Sequence, residues 1–252
     1  MVITEKNKWY AFVPNMVTIF NLLCGTCGLY FAFLHRIDIA ISLMAAGALF
    51  DFADGFVARL LKVSGELGKQ LDSLADVVTF GLLPGAMIFS VQHNIIAQEP
   101  GFTENFSAFQ LIILISPLII PALSALRLAK FNIDVRQSNE FLGLPTPANA
   151  LFFGSIAYSA SYINTPIAQL IGNSNLILAL TLTFPILMVT ELPLISLKFK
   201  NYRIKQNQSR YLLIVISALI IAFLKVPGLS IIIVLYIAIS VIEKIVQTRN
   251  VK

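Results

Sequence analysis

Long apolar stretches alternate with short polar breaks along almost the whole chain. A helix crosses a bilayer with about 20 predominantly apolar residues, and eight stretches reach or approach that length. The pattern predicts an all-α fold, a polytopic membrane bundle of about eight transmembrane helices in a single integral membrane domain, residues 1–252. The predicted helices are Val13–Leu34, Ile37–Leu61, Leu71–Val91, Ala108–Phe131, Pro147–Ile163, Gln169–Leu194, Tyr211–Leu224 and Leu229–Ile245.

Composition agrees with this pattern and excludes a soluble domain. Of the 252 residues, 57% are hydrophobic and 12% are charged, and the mean hydropathy is +0.82. Soluble domains carry about 25% charged residues. The formal net charge of +5 indicates a partner only once the positions of the basic residues are known.

Lysine and arginine predict the orientation, because cytosolic loops of membrane proteins are enriched in both. With a cytosolic N-terminus and alternating helices, 16 of the 18 basic residues fall in the cytosol, and only Arg36 and Lys225 fall outside. Both termini are then cytosolic, and the positive charge is explained by contact with anionic lipids rather than nucleic acid. The basic loop Lys198–Arg210 has two open interpretations, a topology anchor or a recruiting site for an anionic lipid substrate. The cytosolic set is Lys6, Lys8, Arg59, Lys62, Lys69, Arg127, Lys130, Arg136, Lys198, Lys200, Arg203, Lys205, Arg210, Lys244, Arg249 and Lys252.

Four aspartates interrupt the second and third apolar stretches: Asp51, Asp54, Asp72 and Asp76. A carboxylate near the bilayer centre costs roughly 2.5–3.5 kcal/mol on insertion scales, so four unpaired ones would cost on the order of 10 kcal/mol. No packing role offsets that cost. We therefore expect the four side chains to face a polar cavity that holds divalent cations.

The spacing of the aspartates brings them together. Asp51 and Asp54 are three residues apart and Asp72 and Asp76 are four apart, so each pair shares one helix face. Only a short turn separates the two helices, which places both pairs at similar depth near the cytosolic side. Two divalent ions would balance four carboxylates, and oxygen ligands suit Mg²⁺ or Mn²⁺. Such a pair of ions is suited to phosphoryl-type displacement.

Small and basic residues surround the aspartates. Gly55, Ala58 and Gly68 leave room for a ligand beside the helix backbone, although close helix packing is the alternative explanation. Arg59 is suited to bind phosphate. On the first helix Asn15, Thr18 and Asn21 form a polar stripe, which suits either a polar ligand or polar contacts between helices.

The spacing D-x-x-D-G-x-x-A-R-x8-G-x3-D-x3-D, from Asp51 to Asp76, resembles the signature of the CDP-alcohol phosphotransferases at every position. The resemblance implies a two-metal site that binds the diphosphate of a CDP-linked lipid while an acceptor hydroxyl displaces CMP. It implies that the four aspartates are metal ligands, that Asp76 is also the general base, and that Arg59 contacts phosphate. Gly55, Ala58 and Gly68 would shape the cytidine pocket, and the polar stripe of the first helix, Asn15, Thr18 and Asn21, would suit cytidine or diphosphate oxygens, with polar contacts between helices as the alternative.

Further segments resemble the phosphatidylserine synthases of the membrane-embedded type within that family, and they indicate L-serine as the acceptor of the phosphatidyl group from CDP-diacylglycerol. For serine we expect Arg127 to pair with the carboxylate and Asn132 to support it, with Lys130 nearby, although positive-inside anchoring also explains the two basic residues. Lys130 stands where relatives often have arginine, which weakens bidentate recognition there. The segments are Pro14–Gly25, Leu71–Gly81, Arg127–Asn132 and Phe141–Ala148.

The resemblance covers residues 14–150, so we expect a catalytic core in residues 1–150 and additional transmembrane helices in residues 151–252. It implies a multi-pass protein of a bacterial or archaeal inner membrane, with the active site facing the cytosol and a homodimer as the family's usual state. Two alternatives stay open. The acceptor would instead be glycerol 3-phosphate or an inositol phosphate, or the intramembrane carboxylates would belong to a cation transporter.

Overall fold

The computed structural model describes residues 5–63, 65–99, 102, 105–133, 141–162, 172–195 and 207–250, and these residues are mostly helical. A π-helical segment, Val77–Leu82, joins the helix Glu66–Asp76 to the helix Leu83–Ala97 without a break, and 3₁₀ segments at Ser116–Leu118 and Phe184–Met188 follow the helices that end at Ile115 and Thr183. The helices are α1 Glu5–Phe33, α2 Ile37–Leu61, α3 Glu66–Asp76, α4 Leu83–Ala97, α5 Ala108–Ile115, α6 Ile119–Ile133, α7 Thr146–Tyr162, α8 Ser174–Thr183, α9 Gln208–Leu224 and α10 Gly228–Asn250.

Among the described residues, five helical stretches are long and apolar enough to cross a membrane, which makes the chain an integral membrane protein by length and composition. Two further apolar helices, Ser174–Met188 and Gln208–Leu224, are shorter than a typical span. The five stretches are Phe12–Phe33, Ile37–Leu61, Glu66–Ala97, Ala108–Ile133 and Gly228–Ile245.

The predicted sixth helix, Gln169–Leu194, is wrong at its C-terminal end. The α-helix stops at Thr183, and a 3₁₀ segment continues to Met188. Pro193 and Leu194 then pair as a two-residue antiparallel strand, β2, with β1, Phe141–Leu142. Proline has no backbone N–H, so Pro185 and Pro193 both oppose a continuous helix here.

The stretch formed by α3, the π-helical segment and α4 lies at the centre of the bundle. In its most apolar part 67% of the residues are buried, against 22–33% in the other four spans. Met44 of α2, Met87 of α4 and Phe153 of α7 are almost fully buried in one continuous core around it. The π-helical segment packs against α1, α6 and α7, and α3 packs against α1.

A tight turn sets α3 beside α2. Lys62 adopts a left-handed conformation with φ 53°, and its N–H bonds to the carbonyl oxygens of Ala58 and Arg59. This conformation ends α2, and the chain reverses into α3 at Glu66. Both aspartate pairs are therefore carried by adjacent helices at the same end of the bundle.

Candidate active site

Three of the four aspartates of α2 and α3, which both pack against α1, converge on one point. One carboxylate oxygen each from Asp51, Asp72 and Asp76 lies within 4.8 Å of the others. Within the described ranges, none of the three forms an ion pair with lysine or arginine. Asp72 Oδ1 is buried without a hydrogen-bond partner in that part of the chain. Close carboxylates repel one another in a low dielectric, so this cluster requires a cation or protons.

Asp54 is held by a side chain of α1. The hydroxyl of Thr18 donates to Asp54 Oδ2 at 2.6 Å, and both residues are buried. Asp54 lies one helical turn beyond Asp51 and lines the same cavity as Asp72. The hydrogen bond fixes the rotamer of Asp54 beside the three converging carboxylates.

Asp76 ends α3 and is oriented by Asn21 of α1. The side-chain amide Nδ2 of Asn21 donates to Asp76 Oδ1 at 3.3 Å. The hydroxyl of Thr79 donates in turn to the Asn21 backbone carbonyl at 3.1 Å. Thr79 belongs to the π-helical segment that begins directly after Asp76. π-Helical turns are rare and occur frequently at functional sites, and this one ties Asp76 to α1.

A cavity of about 380 Å³ opens beside Asp54 and Asp72. A Cβ at Gly55 would meet no atom within 4 Å, so this glycine leaves the cavity open above α2. A Cβ at Gly68 would lie 3.1 Å from Asn15 Oδ1, so this glycine permits α3 to approach α1 closely. The lining residues are Pro14, Asn15, Thr18, Asp54, Gly55, Ala58, Val63, Gly65, Leu67, Gly68, Lys69 and Asp72.

The residues predicted to bind the CDP-lipid separate into two groups. Asn15, Thr18, Gly55, Ala58 and Gly68 all line the cavity. Asn21 instead bonds to Asp76, and Arg59 is an exposed residue in the last turn of α2, outside the cavity lining.

The residues predicted to bind serine also occupy different environments. Arg127 of α6 is buried, and its Nη1 donates to Thr146 Oγ1 at 2.8 Å. Lys130 is exposed. The Asn132 amide Nδ2 donates to Ser73 Oγ at 2.8 Å, while the Asn132 carbonyl accepts from Lys69 Nζ at 2.8 Å. Asn132 thus connects the end of α6 to α3.

Two polar residues near this region were not predicted. Thr146 begins α7 and holds Arg127, and Asn149 follows on the same helix face. Asn149 is fully buried. Two polar side chains three residues apart at the start of an apolar helix were the available signal, but neutral polar residues are less costly in a membrane than aspartates and attract less attention.

The chain's own donor set fits hard divalent cations. Mg²⁺ and Mn²⁺ prefer carboxylate oxygens, and Asp51, Asp72 and Asp76 present such oxygens around one point. The unpartnered Oδ1 of Asp72 has free lone pairs in a buried position. The carboxylates would bind the cation. Asn21 would orient Asp76, and Thr18 would orient the neighbouring Asp54, both from outside the coordination sphere.

Comparison with known proteins identifies the family of the chain. The family model described as CDP-alcohol phosphatidyltransferase matches residues 11–188. The chain belongs to the CDP-alcohol phosphatidyltransferase family. The matched region contains all four aspartates, the cavity lining, Arg127 and Asn149.

Individual relatives extend the similarity over the whole chain. A Bacillus subtilis protein named CDP-diacylglycerol–serine O-phosphatidyltransferase is 33% identical over 165 residues, which cover 66% of this chain and 84% of that protein. A Helicobacter pylori protein of the same name is 26% identical over 254 aligned residues, covering 97% and 98% of the two chains. A Methanocaldococcus jannaschii protein of that name is 33% identical over 162 residues, covering 64% and 68%.

Proposed function

We propose that this membrane transferase moves the phosphatidyl group of CDP-diacylglycerol to the hydroxyl of L-serine, giving phosphatidylserine and CMP. The observation that carries the proposal is the convergence of Asp51, Asp72 and Asp76 next to an open cavity. The relatives with this printed activity, one of them similar over nearly the full length, support serine as the acceptor.

The four aspartates share one role in the proposal, and Asp76 has a second. Asp51, Asp54, Asp72 and Asp76 hold two divalent ions, Mg²⁺ or Mn²⁺, which when bound neutralise the diphosphate and make CMP a better leaving group. Asp76 accepts the proton of the serine hydroxyl as that oxygen attacks the phosphatidyl phosphorus. The new P–O bond forms to serine, and the P–O bond to CMP breaks. Asn21 keeps Asp76 in position through the bond to Oδ1.

The cavity along α1, α2 and α3 receives the CDP group of the donor in this proposal. Gly55 and Ala58 leave its α2 wall shallow, and Asn15 and Thr18 supply polar groups on the α1 side. Arg59 reaches phosphate oxygens from the rim. The lipid chains extend along exposed apolar side chains of α2, such as Phe52 and Leu60.

The acceptor enters from the α6 side. Arg127 pairs with the serine carboxylate, and Lys130 and Asn132 at the end of α6 contribute positive charge and a polar surface near the entrance. Arg127 is already oriented by Thr146, so its guanidinium loses little freedom when the acceptor binds.

The remaining features of the proposal concern the membrane. About eight helices cross it, the sixth with the shorter bounds that the structure gives, and both termini and the active site lie on the cytosolic side of a bacterial or archaeal cell membrane. The basic residues support this orientation. The chain functions as a homodimer. Both interpretations of the loop Lys198–Arg210 stay open, and its residues 198–206 lie outside the described residues.

Product release from purified protein tests the proposal. The chain is incubated with CDP-diacylglycerol, Mn²⁺ and one labelled acceptor, which is serine, glycerol 3-phosphate or inositol. We expect CMP release and a labelled lipid only with serine. Labelled lipid from glycerol 3-phosphate alone would leave the reaction class intact and overturn the acceptor. Absence of CMP with every acceptor would overturn the reaction class.

Asp76→Asn tests the base in the same assay. We expect turnover to fall by at least roughly 100-fold, because general-base catalysis contributes about 10²–10⁴-fold, while binding of the CDP-lipid stays measurable. Asp38→Asn is the matched control, since Asp38 lies at the opposite end of α2, where it pairs with Arg36. Full activity in Asp76→Asn would exclude Asp76 as the base.

A further inference from the structure

The start of α7 carries a buried polar side chain to which the catalytic proposal gives no role. Asn149 is 0% exposed. Neither its Nδ2 nor its Oδ1 has a hydrogen-bond partner in the part of the chain that the structure describes. An unpaired amide in an apolar interior is unfavourable, since it loses its hydrogen bonds to water without replacement. Asn149 therefore requires a partner that the described residues do not supply.

A second unpaired group belongs to the same region. Arg127 Nε is buried and unpartnered within the described ranges, while Nη1 of the same guanidinium donates to Thr146 Oγ1. Thr146 and Asn149 are three residues apart on α7 and share one helix face. The hydrogen bond from Arg127 thus holds its guanidinium at the helix face that carries Asn149.

The chemistry of Arg127 and Asn149 together favours a zwitterionic ligand. Arg127 is buried and forms no ion pair with a described carboxylate. A buried cation without an ion-pair partner favours an anionic group, and a neutral amide oxygen beside it favours a donor such as ammonium. Both needs are met by a small amino acid bound next to Asp76.

We propose that Asn149 is a specificity-determining residue for the acceptor. Arg127 Nε donates to the serine carboxylate, and Asn149 Oδ1 accepts a hydrogen bond from the serine ammonium group. This inference rests on the proposed function, because it names the second half of the acceptor site. It also gives a reason for selecting serine over glycerol 3-phosphate or inositol, neither of which carries an ammonium group.

Asn149→Leu removes the amide with little change in volume. We expect the KM for serine to rise by about 10- to 100-fold, the range set by one hydrogen bond to a charged group. The kcat and the KM for CDP-diacylglycerol stay within about threefold of the wild-type values, a change worth well under 1 kcal/mol. Ser159→Ala is the matched control, because Ser159 is another buried polar residue of α7 and bonds only to the Ser155 carbonyl among the described residues.

An acceptor analogue separates binding of the ammonium group from a general effect on the fold. 3-Hydroxypropionate keeps the hydroxyl and the carboxylate of serine but lacks the amine. The wild type should prefer serine to this analogue strongly, and Asn149→Leu should lose most of that preference. An unchanged preference, with a lower thermal stability of the variant, would show that Asn149 serves only the fold and would overturn the inference.

Asn149→Ser provides a second variant with a small polar group, which keeps the test decisive if Asn149→Leu does not fold. Its KM for serine should lie above the wild-type value. Wild-type protein that transfers nothing to serine would overturn the proposed function itself. Wild-type protein that transfers to serine while both variants keep its KM would overturn the role of Asn149 alone.

Discussion

At the scale of single residues, Thr18 links the first helix to the carboxylate cluster. Its hydroxyl donates to Asp54 at 2.6 Å, so one oxygen of Asp54 is fixed and the carboxylate holds a single orientation. Thr18→Val keeps the shape of the side chain and removes the donor. Loss of a partner that orients a metal ligand typically weakens metal affinity by about 10- to 100-fold, so we expect half-maximal activity to require that much more Mn²⁺.

Thr26→Val is the matched control for this prediction. Thr26 lies eight residues further along α1, is exposed, and bonds to the Leu22 backbone carbonyl of its own helix. Its replacement should leave the Mn²⁺ dependence unchanged. An identical Mn²⁺ dependence for Thr18→Val and the wild type would show that Asp54 does not contribute to metal binding through this orientation.

A substitution at Gly55 tests whether the cavity binds the CDP group of the donor. No atom of the described residues lies within 4 Å of a Cβ built there, so a side chain at this position starts in open space beside the cavity. We expect Gly55→Leu to fold as stably as the wild type and to raise the KM for CDP-diacylglycerol at least about tenfold, which corresponds to 1.4 kcal/mol of lost binding. Measured donor kinetics and a thermal melt check both parts. An unchanged donor KM would place the CDP group elsewhere.

At the scale of secondary-structure elements, close approach of helix backbones positions the π-helical segment. A Cβ at Gly25 of α1 would lie 2.9 Å from the Cα of Thr79, and one at Gly81 would lie 3.2 Å from the Cα of Pro121 in α6. Contacts with backbone atoms cannot be relieved by turning a side chain. Both glycines therefore determine how α1 and α6 hold the segment that follows Asp76.

Gly25→Ala should lower the melting temperature of the purified protein in detergent, because the added methyl group forces α1 away from Thr79. Overpacking of this kind costs about 1–3 kcal/mol. Gly55→Ala is the control, since the same added atom meets nothing there and alanine is the better helix former. Equal melting temperatures for the two variants would contradict the close packing of α1 on the π-helical segment.

The elements also show where sequence reasoning succeeds. The observed α2 begins at Ile37 and ends at Leu61, as predicted, because a polar turn bounds its apolar stretch on each side. The cluster of Asp51, Asp72 and Asp76 was expected for a similar reason, since charge in an apolar helix is costly and conspicuous. Such signals are local and lie in the sequence itself.

Long-range contacts determine the features that were not predicted. The π-helical segment depends on packing against α1 and α6, and the end of the sixth predicted helix depends on Pro193–Leu194 pairing with the distant strand β1. Asn149 was overlooked because its importance arises from Arg127, which lies on another helix. The periodicity of apolar residues reports the local helix or strand, and it carries no information on which distant segments pair with each other.

At the scale of the whole molecule, the two ends of the bundle differ in chemistry. The carboxylates and the cavity lie beside the turn between α2 and α3, while Arg36, Asp38 and Tyr162 form a separate polar network beside the turn between α1 and α2. The first end is rich in lysine and arginine. The positive-inside rule therefore predicts that the catalytic end faces the cytosol, where free serine is available.

Cysteine labelling in intact cells tests this orientation. In a background with Cys24 and Cys27 replaced by serine, Gln98→Cys places a thiol after α4, and Gln70→Cys places one in α3 near the carboxylates; both positions are exposed. A membrane-impermeant maleimide should label Gln98→Cys in intact cells and label Gln70→Cys only after the membrane is opened. The reverse pattern would place the catalytic end outside the cell, where the intracellular pool of serine and CDP-lipid does not reach it.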